Sequence, residues 1–292
     1  MFNVEFLHLI REYELARVEP YLRPGARLLE IGGGTGYQAR RLQQAGFDVA
    51  SIDIAGHGYG EPREFPIEDY DGRRIPFPDQ SFDIVFSSNV LEHVLDLAQL
   101  QRETLRVLRR GGYCIHVLPT ASWRLWTNVT HYIEFGQRLA LQMLQLVPRS
   151  IGKAEFVRLV HALVHLVHLI RHYLIVPRHG EFGNALSEIV TFSARHWRRR
   201  FRAQGFDVNE SIPVGLFYTG HMVLGTRLRV ATRMQLARIL GSACMIYKLT
   251  PTVTDVAREP SDQAARSPAA PLRQPAVAKP PPGAPQSLRL RD

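Results

Sequence analysis

The segment Glu30-Ile31-Gly32-Gly33-Gly34-Thr35-Gly36 ends a short apolar run with a carboxylate and then a cluster of glycines. Residues without a Cβ take φ > 0 and leave their N–H groups unshielded, so such a turn lets the backbone approach a ligand closely. Dinucleotide sites place glycines at the first, third and sixth positions of the turn. Counted from Gly32 the sixth position is Tyr37, and Glu30 stands near where a pyrophosphate would sit. A second carboxylate, Asp53, closes the next apolar run about 20 residues on, the place from which an acid accepts hydrogen bonds from ribose hydroxyls. A glycine turn with two acids and no phosphate signature suits a nucleoside that carries an amino-acid tail.

These residues need a scaffold that brings strand ends together. From Arg27 to about Pro119 short apolar runs alternate with helical patterns, the signature of a parallel sheet wrapped by helices. Strands are expected at 27–31, 47–54, 82–88 and 113–118, the last entered through Gly111-Gly112, with helices at 36–45 and 90–108. Residues 121–188 break the rhythm with a long, mostly helical stretch rich in His and aromatics, read as an insertion. Helices at 193–204 and 226–240 and strands at 206–211 and 244–249 then resume the pattern. From Pro251 onward Pro, Ala, Ser and Arg dominate, a composition that does not offset the entropy of ordering, so disorder is expected over 251–292. The domain map is a single domain over 1–250, with a helical lead-in at 1–26 and the insertion after the fifth strand.

Four segments resemble one family in its order and spacing. Leu28 to Gly36 is similar to the first motif of class I S-adenosylmethionine-dependent methyltransferases, E-x-G-x-G-x-G, on Glu30, Gly32, Gly34 and Gly36. Ile75-Pro76-Phe77-Pro78-Asp79-Gln80-Ser81-Phe82-Asp83 resembles the segment entering that family's fourth strand, and Ser87-Ser88-Asn89-Val90-Leu91-Glu92-His93-Val94 the segment leaving it. Leu105 to Tyr113 resembles the helix end and Gly-Gly turn before the fifth strand. The resemblance covers about residues 27–119. It implies an α/β, Rossmann-like, doubly wound, mostly parallel seven-stranded sheet, with S-adenosylmethionine as methyl donor. It further implies that Glu30, Gly32, Gly33, Gly34 and Gly36 contact the methionine end, Asp53 and the adjoining Ile54 the ribose side, and Asp71 the adenine edge, with Asp69 close by. Asn89 would sit beside the sulfonium. Each polar residue also has a structural reading: Asp53 as a strand-end cap, Asp71 as a turn residue and Asn89 as a helix N-cap.

Methyl transfer from a sulfonium is an in-line displacement for which proximity supplies much of the acceleration; no metal is required, though a poorly nucleophilic acceptor gains from a general base. His93 is the titratable residue nearest the implied donor, with packing at a helix start as its plainer role. Within the insertion, Arg178, His179, Gly180 and Glu181 cluster a cation, an imidazole and a carboxylate; His179 and Glu181 are candidate positioning groups or bases of an acceptor site, and a surface turn is the alternative.

The expected helix at 154–176 carries only about 12 apolar-rich residues between Arg158 and Arg171, short of the roughly 20 that cross a bilayer. His161, His165, His168 and His172 share one face, and Leu163, Val167, Ile170 and Leu174 the opposite one. The apolar face is suited to packing on the sheet, covering a lipid-like acceptor, or lying as a peripheral contact in a membrane interface. The formal charge of +9 comes almost wholly from arginine, the lysines being Lys153, Lys248 and Lys279. The densest basic run, 195–202, reads as a solvated helix face or a site for an anionic acceptor. No nucleic-acid recognition motif accompanies the charge, and Ser88-Asn89-Val90-Leu91 stands where nucleic-acid methyltransferases carry Asn/Asp-Pro-Pro-aromatic. Cys114 and Cys244 lie in apolar runs without zinc-ligand spacing, which points to a reducing, cytoplasmic setting, and the N-terminal residues show no secretion signal. The expected acceptor is a small molecule, a saccharide or a lipid intermediate. A catalytically idle binding or scaffolding subunit of the same fold is the rival reading.

Overall fold

Arg27–Ile31 forms β1, the strand on which the sheet is organised, in the computed structural model, which describes residues 4–54, 62–148, 150–219 and 228–252. Its neighbours are β2 (Asp48–Ile54) on one side and β4 (Phe82–Ser88) on the other, both parallel to it. The seven strands run in the order β3-β2-β1-β4-β5-β7-β6, with β3 at Glu68–Tyr70, β5 at Leu108–Pro119, β6 at Phe206–Pro213 and β7 at Cys244–Pro251. β7 is antiparallel to both β5 and β6. The chain is thus a Rossmann-like, mostly parallel α/β sheet, and the order reverses between β1 and β4, the crevice where such folds bind ligands.

Period-two alternation explains why both faces are apolar. Leu28 and Ile84 point into one core with Phe6 and Ile10 of α1 (Val4–Val18) and Leu42 of α2 (Tyr37–Gln44). Leu29 and Val85 point into the other, with Leu97 and Leu100 of α3 (Leu97–Val107) and Trp197 and Phe201 of α7 (Ala194–Ala203). Between those two aromatics Arg198 and Arg199 turn outward while the half-buried Arg200 lies over the Trp197 ring at 5.5 Å, so most of the densest basic run is the solvated side of an amphipathic helix. A further helix, α8 (Val230–Leu240), precedes β7.

Several boundaries differ from the sequence reading. The helix expected over 90–108 is two elements: a 3-10 turn, Leu91–His93, and then α3, which starts where the Asp96 carboxylate accepts the Gln99 N–H at 2.9 Å. Gly111-Gly112 does not separate helix from strand but lies in an irregularity of β5, where pairing jumps from Phe82 opposite Leu108 to Ile84 opposite Tyr113. The three-residue edge strand β3, Glu-Asp-Tyr, has no apolar run to announce it.

The insertion forms an α-helical hairpin, α4 (Ala121–Gln145) and α5 (Lys153–Tyr173), followed by the short α6 (Ser187–Thr191). α5 packs along α4, but its apolar face does not pack on the sheet: Leu163, Val167, Ile170 and Leu174 are all exposed, as are the four histidines. No described helix is long and apolar enough to cross a membrane. The tail expected to be disordered lies outside the described residues from 253 onward, as does the start of the helix expected at 226.

Candidate active site

The glycine turn leaves β1 at the crevice. Gly32, Gly34 and Gly36 all have positive φ, and at Gly36 space is limiting as well: a Cβ there would stand 2.6 Å from the Cβ of Phe65 and 2.8 Å from its backbone nitrogen. The Gly34 N–H donates to Asp53 Oδ2 at 2.7 Å, and Asp53 Oδ1 accepts the Ile54 N–H at 2.7 Å. Asp53 therefore ties the turn to the end of β2 while still facing the space beside it. That space is a cavity of about 550 Å³ lined by Gly32, Gly33, Gly34, Asp53, Ile54 and Tyr70.

Glu30 is placed differently from the implied ligand role. It lies 2% exposed beneath the turn, accepts the Ser51 hydroxyl at 2.6 Å, and is not among the residues lining the cavity. Burial pushes its carboxyl up to about 8, against the pull of the Ser51 hydrogen bond. Asp71 is also displaced from the cavity. It is exposed and caps a turn by accepting the N–H groups of Arg73 and Arg74 at 2.8 and 2.9 Å, bonds that hold its carboxyl below the usual range. Asp69 pairs with Arg63 at the surface.

Asn89 follows β4 with φ of 55°, the left-handed region, and caps no helix: the residue preceding the 3-10 turn is Val90, without a side-chain cap. Its Nδ2 donates to Ser88 Oγ at 3.2 Å and its Oδ1 accepts from the Cys244 thiol at 3.3 Å. Asn89 belongs to two chambers. A second cavity, of about 400 Å³, adjoins the first and adds Ile10, Trp123, Thr127, His131, His179 and Tyr218. Leu7, Arg11, Asn89 and His93 line both.

His93 and His179, far apart in sequence, meet on that second cavity with ring centroids 4.9 Å apart, and the Trp123 ring packs edge-on to His179 at 4.6 Å. Burial lowers both imidazoles. His179 falls to about 4, with His93 and Arg124 adding to the effect, whereas the carboxylates of Glu181 and Glu188 partly offset the drop at His93. Glu181 lines the first cavity instead, its N–H donating to the Glu92 carbonyl at 3.1 Å and its carboxylate 3.9 Å from Arg178.

Three further groups escaped the sequence reading. Arg11 on α1 reaches into both cavities, donating to Glu14 at 2.7 Å and Ser88 Oγ at 3.0 Å. Glu92, the middle residue of Leu-Glu-His, is buried under His93 and His179, and burial pushes its carboxyl up to about 8. Glu188 receives the N–H groups of His179 at 2.8 Å and of Gly180 at 2.7 Å, which sets the position of the His179 loop. Only the i, i+3 spacing of Arg11 and Glu14 and the motif position of Glu92 were signals; the rest are long-range meetings.

Comparison with known proteins follows the same lines. Residues 8–211 match the family described as the methyltransferase domain. An uncharacterized methyltransferase of Mycobacterium sp. (strain KMS) is 35% identical over a 136-residue alignment, with 40% of this chain and 49% of that protein covered. Another, of Mycobacterium marinum, is 38% identical over a 120-residue alignment, with 38% of this chain and 44% of that protein covered. The chain thus spans about half the length of the curated relatives it matches. Among solved structures, an S-adenosylmethionine-dependent methyltransferase from Mesorhizobium loti aligns with TM-score 0.46 at 16% identity, covering 81% of this chain and 97% of that one. A possible histamine N-methyltransferase from Thermotoga maritima aligns with TM-score 0.47 at 16% identity, covering 85% and 95%.

Proposed function

Since the chain belongs to the methyltransferase-domain family, we propose that it moves a methyl group from S-adenosylmethionine, held against the glycine turn, to an acceptor in the cavity behind Asn89. When bound, the donor supplies a methyl group activated by its sulfonium. The observation that carries the reading is the shared wall: Asn89 and His93 face both chambers, so reactants seated in each are within reach of one another. Holding two reactants in line supplies much of the acceleration of a displacement.

In this reading the turn N–H groups and Asp53 take the methionine and ribose ends, with Ile54 and Tyr70 beside them. Asn89 sits next to the transferred carbon, its orientation fixed by Ser88 and Cys244. His93 and His179 present imidazole nitrogens to the acceptor, and Glu181 lies on the donor side. The acceptor is a small molecule or lipid intermediate with an apolar body and a hydroxyl or amine. Trp123, Leu7 and Ile10 favour this over a saccharide, as does the exposed apolar surface of the hairpin whose helix α4 walls the cavity.

Isothermal titration with S-adenosylmethionine tests the donor assignment. Heat with wild type and at least about tenfold weaker binding by Asp53→Ala is expected; no heat with folded wild type overturns the enzyme reading. Labelled donor incubated with extract fractions then tests the acceptor class, and label confined to nucleic acid refutes it.

A further inference from the structure

Under the shared wall lies a carboxylate with nothing to bond to. Glu92 is 5% exposed, and neither side-chain oxygen has a hydrogen-bond partner among the described residues. An ionised carboxylate buried without a partner is costly, so such a group calls for a cation or for donors. Two imidazoles face it. His93 Nε2 and His179 Nε2 each stand 3.9 Å from Glu92 Oε1, too far to hydrogen-bond. One ligand atom from each of the three residues falls within 4.8 Å of the other two.

The three residues bracket a gap of atomic size. Ligands about 2.0–2.2 Å from one metal ion are themselves separated by roughly 3.0–3.6 Å, so the 3.9 Å His–Glu separations need to shorten by less than about 1 Å and a pair as far apart as 4.8 Å by roughly 1.2–1.8 Å. The histidine side chains, 39% and 35% exposed, have room to do so, while Glu92 is held by the 3-10 turn and the His179 backbone by Glu188. Two histidines, one carboxylate and a position left open toward a cavity make a ligand set suited to catalytic zinc or a related first-row ion. On α5 the buried acid, Glu155, is already paired with Arg158 at 2.5 Å, and among the described residues the histidines of that helix join no group of three potential ligands.

We propose that Glu92, His93 and His179 bind a divalent cation of the zinc class, with its open coordination position facing the acceptor cavity. The role of the ion rests on the proposed function. There it holds the acceptor oxygen and makes the hydroxyl a stronger acid, so that its proton passes to water rather than to an imidazole; the oxygen's electron pair forms the new O–C bond as the methyl–sulfur bond breaks, and the donor leaves as the neutral thioether.

The test is made on the full chain, stripped with a chelator and checked for folding by circular dichroism. Zinc chloride is titrated calorimetrically, with metal content after dialysis read by mass spectrometry. One equivalent is expected for wild type, at least about tenfold weaker binding for Glu92→Gln and His179→Ala, and wild-type binding for His165→Ala on α5. Unchanged zinc binding in Glu92→Gln and His179→Ala overturns the site, as does loss only in His165→Ala. Donor binding is measured on the same samples, which keeps the two readings apart. A folded wild type that binds S-adenosylmethionine but no zinc refutes the metal site alone, and one that binds zinc but no donor leaves the site standing and refutes the function.

Discussion

Glu188 meets Arg124 at 2.8 Å, with 0% of one side chain and 3% of the other exposed, and the pair joins α4 to the loop that carries His179. Removing one member strands a buried charge, a change that costs about 3–5 kcal/mol. Arg124→Ala should lower stability by that order in urea unfolding. Glu188→Gln keeps an oxygen for the His179 and Gly180 amides but strands the Arg124 charge, so it should be destabilised too, while donor affinity stays unchanged because the loop it holds borders the second cavity.

Gly36→Ala combines a forbidden φ with a collision at Phe65. The turn must shift, and donor binding should weaken by at least about tenfold, equivalent to about 1.4 kcal/mol. Gln43→Ala, an exposed position of α2 that lines neither cavity, serves as a control for unfolding of the helix, and calorimetry reads both.

Asp53 does two jobs, and substitutions separate them. Asp53→Asn keeps an oxygen for the Gly34 N–H but loses the charge; Asp53→Ala loses both. Hydrogen bonds to a charged group contribute about 1.5–3 kcal/mol. The alanine variant should therefore bind the donor roughly 10- to 100-fold more weakly, and the asparagine variant should fall between it and wild type.

The buried acid under the turn makes stability depend on pH. The Glu30 carboxyl titrates at about 8 in the folded chain against 4.5 ordinarily, so between those values the folded state holds a proton that the unfolded state has released. Stability should fall as pH rises through that window and level off above it, by on the order of a few kcal/mol from this group. Glu30→Gln should remove that component, making the variant more resistant to urea than wild type at pH 8 but not at pH 4.5.

The strands and turns of the sheet were legible because the signals are local. Arg27–Ile31 and Phe82–Ser88 are apolar runs bounded by turn residues, and the structure has strands over the same residues. Glu68–Tyr70 was hidden because an edge strand of three residues needs no apolar face of its own. In the site, the glycine turn and Asp53 could be placed together from spacing, since the ends of adjacent parallel strands, here β1 and β2, lie side by side. Asp71 misled for a related reason: aspartate two residues before a turn amide is good turn chemistry, and that role is the one it fills. The approach of His93, His179, Trp123 and Glu92 depends on how an insertion folds back onto the 3-10 turn after β4, and no periodicity encodes such a meeting.

Helix α1 supplies Leu7 and Arg11 to both chambers at once. Anything that lifts this helix opens both compartments, and anything that seats it closes both. A ligand that seats the helix from either chamber should therefore raise the affinity of the other chamber's ligand, and by reciprocity the two effects are the same factor.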